Sequence, residues 1–162
     1  MIVDSYRFLP RSFRAAYELA PTDEAPVWAP FEPRLADATI TLLTSAGLYV
    51  DGEQSSFDLD RERAEPTWGD PSYRVIRRDH APLAMAHLHV NDTDIRADNE
   101  VALPLRALDA LVGEGAVGES SNEHFSVMGY QGDLSGWRTD TAPAIIDHLR
   151  TQGTDGVVLA PV

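Results

Sequence analysis

The chain has 162 residues, with 13 basic and 26 acidic side chains and a formal net charge of −13 at pH 7. A chain of this length buries enough surface to form one domain without a disulfide or a structural metal. Because the sequence is acidic and has no basic cluster, we expect it to bind neither nucleic acid nor an anionic membrane.

The sequence contains neither cysteine nor lysine, so all 13 basic residues are arginines. These 162 residues therefore supply no disulfide, no thiolate metal site, no thiol nucleophile and no Schiff-base amine. No stretch approaches the ~20 apolar residues of a membrane span. We expect a soluble, cytoplasmic protein whose catalysis, if it has any, depends on other side chains.

Residues 1–36 are predicted to form an N-terminal helix and an extended arm that packs on the rest of the protein. Apolar residues recur at helical spacing between Phe8 and Leu19. Four prolines follow between Pro21 and Pro33, and their fixed φ and missing N–H favour an extended segment.

Residues 37–162 are predicted to form an α/β domain. Apolar and β-branched runs bounded by turn residues predict its strands. These strands are Thr39–Thr44, Tyr73–Arg77, Leu83–Val90, Phe125–Met128 and Gly156–Ala160. The polar stretch 51–70 predicts a surface excursion between the first two.

Two helices are predicted between these strands, one opened by Pro104 and one that starts near Thr141. The last strand, Gly156–Ala160, is wholly apolar, which is typical of a strand buried on both faces of a parallel sheet. The alternation predicts a single three-layer domain with a mostly parallel sheet. Ligands bind such sheets at the carboxyl ends of the strands.

Two segments near strand ends carry candidate substrate-binding residues. Thr44 and Ser45 open a small-residue loop whose N–H groups can approach an anion closely, although an ordinary tight turn has the same composition. Asp70, Ser72 and Arg74 alternate, so an extended backbone directs them to one side. Arg74 is a candidate carboxylate anchor oriented by Asp70, and an internal ion pair is the alternative.

The densest polar segment runs from His87 to Asp94. On a strand His87 and His89 face the same way, so one of them is a candidate general base, with Asp92 as its orienting carboxylate. The same three residues, or Asp94 in place of Asp92, are candidate ligands of a divalent metal. A buried histidine beside a capped turn is the structural alternative, and we expect no cofactor.

His124 and Ser126 also stand two residues apart. We assign His124 to the candidate substrate-binding set. A serine hydrolase is disfavoured because the glycine-flanked strand–turn–helix elbow that exposes its nucleophile is absent around Ser126.

An ordered series of segments from about Pro26 to Val162 resembles a known family. The segments are Pro26–Pro30, Ile40–Gly47, Gly69–Ile76 with Asp79, His87 with His89, Asn91–Asp94, Leu103–Leu105, Met128–Gly129 and Gly153–Leu159. Together they are similar to the selenoprotein B family of glycine, sarcosine, betaine and D-proline reductases.

The resemblance implies a pocket at the strand ends for a small amino acid or a related carboxylate, and adds Met128 and Gly129 to the residues that line it. In that family a selenocysteine or cysteine directly follows the last strand and displaces the amine of the substrate. We expect this chain, which reads Leu159–Val162 there, to end where that residue would stand.

Three functions follow as hypotheses. The first is an enzyme that acts on a small amino-acid-like substrate by non-thiol acid/base chemistry of the lyase or isomerase type, with His87, His89 and Asp92 as catalytic residues. The second is a reductase subunit whose redox residue lies on a partner chain. The third is a non-catalytic metabolite-binding protein. As partners we expect a small-molecule substrate and either a homo-oligomer or another subunit.

Overall fold

The structure is a computed structural model that describes residues 29–65, 68–88 and 90–162. Its backbone contacts divide the chain into Met1–Pro30 and Phe31–Val162, and the elements below all lie in the second unit. The predicted N-terminal helix, the arm as far as residue 28, and His89 lie outside the described residues. The predicted domain boundary after residue 36 stays a prediction.

Seven strands and four α-helices are described. In chain order the strands are β1 (Thr39–Thr44), β2 (Leu48–Val50), β3 (Tyr73–Arg77), β4 (Leu83–Met85), β5 (Glu119–Ser120), β6 (Glu123–Val127) and β7 (Gly156–Ala160). The helices are α1 (Leu59–Ala64), α2 (Thr93–Ala97), α3 (Leu105–Gly113) and α4 (Ala142–Thr151). Short 3-10 turns cover Leu35–Asp37 and Asn99–Val101, and a π-helical turn, Trp137–Thr141, leads into α4.

Strand β1 is the centre of a mostly parallel sheet. It pairs in parallel with β7 along Ile40–Thr44, and with β5 and β6 at its beginning and end. Strand β3 is antiparallel to β6, and β2 and β4 form a separate antiparallel pair. The prediction of an α/β fold with a mostly parallel sheet is confirmed.

Alternate residues of β1 enter apolar clusters on opposite faces of the sheet, as the two-residue period of a strand requires. Ile40 and Leu42 belong to a cluster that includes Leu105 and Leu108 of α3. Leu43 packs with Ile145 of α4 and its neighbours on β6. Helices therefore cover both faces, which is consistent with three layers.

Strand β7 has the predicted bounds, but the prediction that it is buried on both faces is wrong. Val157, Val158 and Leu159 are all exposed, Leu159 to 67%. Among the described residues β7 pairs only with β1, so it forms an edge of the sheet. An apolar composition alone does not distinguish a central strand from an uncovered edge strand.

The predicted strand Leu83–Val90 is too long, because β4 ends at Met85. His87 therefore follows the strand instead of lying on it. The pairing partner of β4 is the three-residue strand β2, which is too short to support a longer ladder.

The helix predictions from local signals are confirmed. Pro104 is the N-cap of α3, and α4 tolerates Pro143 in its first turn and is followed by Gly153, which has φ of +70°. In contrast, α1 was not predicted and lies within the segment 51–70, for which the sequence predicted a surface excursion. No helix of the described segments is both long enough and apolar enough to cross a bilayer.

Candidate functional site

The ends of β1 and β7 are joined by the side chains of Thr44 and Ser45. The Thr44 hydroxyl donates to the carbonyl oxygen of Ala160 at 3.2 Å, and the backbone N–H of Ser45 donates to the same oxygen. Ser45 Oγ accepts the N–H of Val162 at 2.9 Å. Both predicted substrate-binding residues of this loop therefore lie at the carboxyl ends of parallel strands, as expected.

The loop after β1 passes directly over the end of β6. Ala46 forms an isolated β-bridge with Met128, and the N–H of Gly47 donates to the carbonyl oxygen of Val127. A Cβ on Gly129 would lie 3.2 Å from Ser45 Oγ. The structure thus places the predicted residues Ser45, Met128 and Gly129 next to one another.

Gln131 connects this cluster to the segment that begins at Asp70. Its amide nitrogen donates to the carbonyl oxygens of Asp70 and Met128, at 2.8 and 3.3 Å. Its Oε1 is buried and has no hydrogen-bond partner among the described residues. Sequence reasoning missed Gln131, because nothing in the loop pattern distinguishes it from an ordinary polar loop residue.

Asp70, Ser72 and Arg74 form a hydrogen-bonded relay. The Ser72 hydroxyl donates to Asp70 at 2.5 Å and accepts from Arg74 Nη1 at 2.9 Å. Burial raises the pKa of Asp70, but hydrogen bonds from Ser72 and from the backbone of Asp58, together with the charge of Arg74, outweigh burial and lower it. Asp70 is therefore held as a carboxylate, with Arg74 oriented through the serine.

Arg74 also fastens the loop before α1. Its guanidinium donates to the carbonyl oxygens of Ser55, Ser56 and Tyr73 at 2.8–3.0 Å and lies 4.1 Å from the centre of the Phe57 ring. Most of its N–H groups are thus used within the chain. This geometry favours the structural alternative for Arg74, and its role as a carboxylate anchor stays a prediction.

We expect Arg74→Lys to lower the free energy of unfolding by about 2 kcal/mol, because a lysine ammonium cannot reproduce the planar fork that reaches several acceptors. Urea denaturation measures this loss. The matched control is Arg77→Lys on the same strand, whose ion pair with Asp79 is exposed and which should change stability by less than ~0.5 kcal/mol. Equal effects of the two substitutions would contradict the assigned role of Arg74.

A cavity of about 400 Å³ adjoins the segment that begins at Asp70. Two segments line it, and their lining residues are Glu65, Trp68, Gly69 and Pro71 from the first and Asp133, Ser135 and Gly136 from the second. Hydrogen bonds from Ser135 lower the pKa of Asp133, so this carboxyl is an anion at neutral pH. A cavity of this size accommodates a small polar metabolite.

The histidine segment is described in part. His87 is half-buried and lies beyond the end of β4, and Asp92 forms an ion pair with Arg96 of α2. Within the described ranges no three side chains of the metal-ligand types come together, and His89 lies outside those ranges. The catalytic assignment of His87, His89 and Asp92, and the metal alternative, stay predictions.

His124 and Ser126 are fully buried residues of β6. The side chain of each accepts a hydrogen bond from a backbone N–H of a neighbouring strand, β1 for His124 and β2 for Ser126. The N–H of Leu42 donates to His124 Nδ1 at 3.0 Å, and the N–H of Leu48 donates to Ser126 Oγ at 2.7 Å. Burial, and after it the charge of Arg78, lower the pKa of His124 to about 4. These contacts give His124 a structural role, whereas its predicted substrate contact is untested.

A second cavity, of about 850 Å³, opens where β6 begins and α4 ends. His148 lies in its wall with Glu123, which accepts a hydrogen bond from His148 Nδ1 at 3.0 Å. The imidazole ring also contacts Phe125 and Tyr73 edge-on. Sequence reasoning missed this pair, because Glu123 and His148 are 25 residues apart.

Comparison with known proteins gives one informative relative. No family model matches the chain, and no solved structure matches it. D-proline reductase subunit gamma of Acetoanaerobium sticklandii is 28% identical over 141 residues, which are 86% of this chain and 54% of that subunit. The chain thus spans about half the length of its relative. This similarity confirms the predicted resemblance to the selenoprotein B-like reductases, to which the chain is distantly related.

Proposed function

We propose that this chain is a component of a reductase that acts on a small amino-acid-like substrate, and that the thiol or selenol chemistry comes from a residue outside these 162 residues. The observation that carries the proposal is the 141-residue similarity to a D-proline reductase subunit. A polypeptide without cysteine cannot perform a thiolate displacement by itself.

The strand-end cluster supports a role in substrate binding. Ser45, Met128 and Gly129 lie together at the carboxyl ends of β1 and β6, and Gln131 links them to Asp70. The unpartnered Oε1 of Gln131 is a hydrogen-bond acceptor in a buried position, suited to a substrate ammonium or imino N–H. We assign this acceptor to the substrate amine.

The acid/base hypothesis receives less support. Asp92, its orienting carboxylate, pairs with Arg96, and His87 does not lie on a strand beside it. The reductase-component hypothesis instead uses residues that lie together in the fold, namely Ser45, Met128, Gly129 and Gln131.

The test is a calorimetric titration of the protein with D-proline, and separately with L-proline, glycine and betaine. We expect saturable binding of at least one of them with a Kd of about 1 mM or tighter, without loss of the ligand during incubation with a dithiol. Gln131→Leu should weaken binding at least tenfold, because the substrate amine then loses its acceptor.

The matched control is Gln152→Leu, which changes the same residue type at the opposite end of the sheet, where Gln152 contacts Glu123. Binding to this variant should be unchanged when its melting temperature shows that it is folded. If the folded protein binds none of the four compounds, the assigned substrate class is wrong. If the chain alone turns over a substrate, the proposal that the redox residue lies outside these 162 residues is wrong.

A further inference from the structure

The sequence contains two Asp–Gly dipeptides, Asp51–Gly52 and Asp155–Gly156. Both aspartates are exposed to solvent. At such a dipeptide the aspartate side chain can react with the backbone nitrogen that follows it, because glycine has no Cβ to shield that nitrogen or to restrict its rotation. The two dipeptides differ in how firmly the fold holds the reacting groups.

Asp51–Gly52 lies in an exposed turn that follows β2. Within the described residues, neither the C=O nor the N–H of the peptide group between them makes a hydrogen bond, and the Asp51 carboxylate makes none either. Gly52 has φ of +74°, and a Cβ there would have no atom within 4 Å. This peptide group can therefore rotate until the Gly52 nitrogen approaches Cγ of Asp51.

Asp155–Gly156, in contrast, is held at both residues. Asp155 Oδ2 accepts the N–H of Thr39 at 2.9 Å, and the N–H of Asp155 donates to the carbonyl oxygen of Thr39. Gly156 begins β7 and pairs with Ile40 in the parallel ladder. The Asp155 carboxylate cannot turn toward the Gly156 nitrogen unless these contacts break.

We propose that Asp51 isomerises spontaneously to isoaspartate in the folded protein, whereas Asp155 is protected. In the first step the Gly52 nitrogen attacks Cγ of Asp51. The new N–Cγ bond closes a cyclic imide, and the hydroxyl of the carboxyl group leaves with the amide proton as water. In the second step water adds to the backbone carbonyl carbon of Asp51 and breaks its bond to nitrogen. The main chain then runs through Cγ, and the α-carboxylate is free.

An isoaspartate lengthens the main chain of this turn by a methylene group. Hydrogen bonds tie the turn to its surroundings: the N–H of Asp51 donates to the carbonyl oxygen of Pro82 at 2.9 Å. The side chain of Gln54 accepts the N–H of Val50 and donates to the carbonyl oxygen of Val75, both at 2.9 Å. Because the longer chain displaces these partners, we expect the isomerised fraction to unfold at a lower urea concentration than fresh protein.

Peptide mapping of the aged protein tests the proposal. The whole chain is incubated at about 37 °C and neutral pH and then cleaved after arginine, which separates Asp51, in peptide 35–61, from Asp155, in peptide 151–162. Electron-transfer fragmentation distinguishes isoaspartate from aspartate at each position. We expect isoaspartate to accumulate at least tenfold faster at Asp51 than at Asp155. In concentrated urea the two rates should become similar, because the fold no longer restrains Asp155.

Two variants complete the test. Asp51→Glu should remove the product from peptide 35–61, because the larger imide of a glutamate closes far more slowly, and Gly52→Ala should slow its formation several-fold. Equal rates at Asp51 and Asp155 in the folded protein would overturn the proposal. So would the absence of isoaspartate at Asp51, or a product in peptide 35–61 that Asp51→Glu leaves unchanged. The proposal does not depend on the reductase assignment, because the experiment involves no substrate.

Discussion

Replacing Gly47 by alanine is expected to destabilise the protein by about 3 kcal/mol or more, a large effect for the addition of a single methyl group. Gly47 has φ of +66°, which an L-residue rarely adopts. In addition, a Cβ there would lie 2.2 Å from the carbonyl oxygen of Ala86 and 2.8 Å from Met128 Sδ. The backbone of the strand-end loop would therefore have to move.

The variant Gly52→Ala separates the cost of the positive φ from the cost of the steric clash. Gly52 has φ of +74°, but a Cβ there would have no atom within 4 Å. This substitution should cost only the backbone term, about 1 kcal/mol. Urea denaturation of the two variants gives both losses in the free energy of unfolding. If Gly47→Ala loses no more than Gly52→Ala, the loop backbone moves to accommodate the methyl group without destabilising the protein.

The second large effect concerns pH. The pKa of His124 is about 4 in the folded protein, against about 6.5 in an unfolded chain. Between these values the unfolded chain binds a proton that the folded protein does not, so stability rises with pH. Acidification from pH 7 to pH 4 should therefore cost about 3 kcal/mol through this residue alone.

The physical cause is the role of His124 as an acceptor. Its Nδ1 takes the N–H of Leu42, and its Nε2 lies 3.4 Å from the hydroxyl of Ser120. Protonation of Nδ1 would set two donors against each other in a buried position. The neutral ring with its hydrogen on Nε2 is the form that fits these contacts.

Urea denaturation at intervals between pH 7 and pH 4 measures the effect. His124→Gln should flatten the profile in this window, because glutamine does not titrate. The control variant is His80→Gln, which replaces a partly buried histidine whose Nδ1 lies near the carbonyl oxygen of Ala81. In this variant the free energy of unfolding should still fall between pH 7 and pH 4 as it does in the wild type. A slope that persists in His124→Gln would assign the acid sensitivity to other groups.

The parts of the fold with strong local signals could be predicted from the sequence. The β-branched run of β1, Pro104 before α3, and Gly153 after α4 each determine an element or its end by local backbone preferences. The environment of β7 could not be predicted this way, because exposure depends on what packs against a strand and not on its own composition.

The candidate site was predicted only in part, because local features leave a sequence signal and long-range contacts do not. The alternation of Asp70, Ser72 and Arg74 is a local feature, and the structure joins these residues in one relay. Arg74 donates to the carbonyl oxygens of Ser55 and Ser56. These contacts are long-range and have no sequence signal. The two carbonyl oxygens that Gln131 binds are 61 and 3 residues away, so its role emerges only from the folded chain.

The single amide of Gln131 makes two distant loops behave as one mechanical unit. One end of the unit is Asp70 and the other is Met128, and the same amide nitrogen holds both carbonyl oxygens. A displacement at either end is therefore transmitted to the other by this side chain, in addition to the backbone contact between Gly69 and Tyr130. Substitutions in the two loops should combine less additively when Gln131 is present than when it is replaced by leucine, which a double-mutant cycle would reveal.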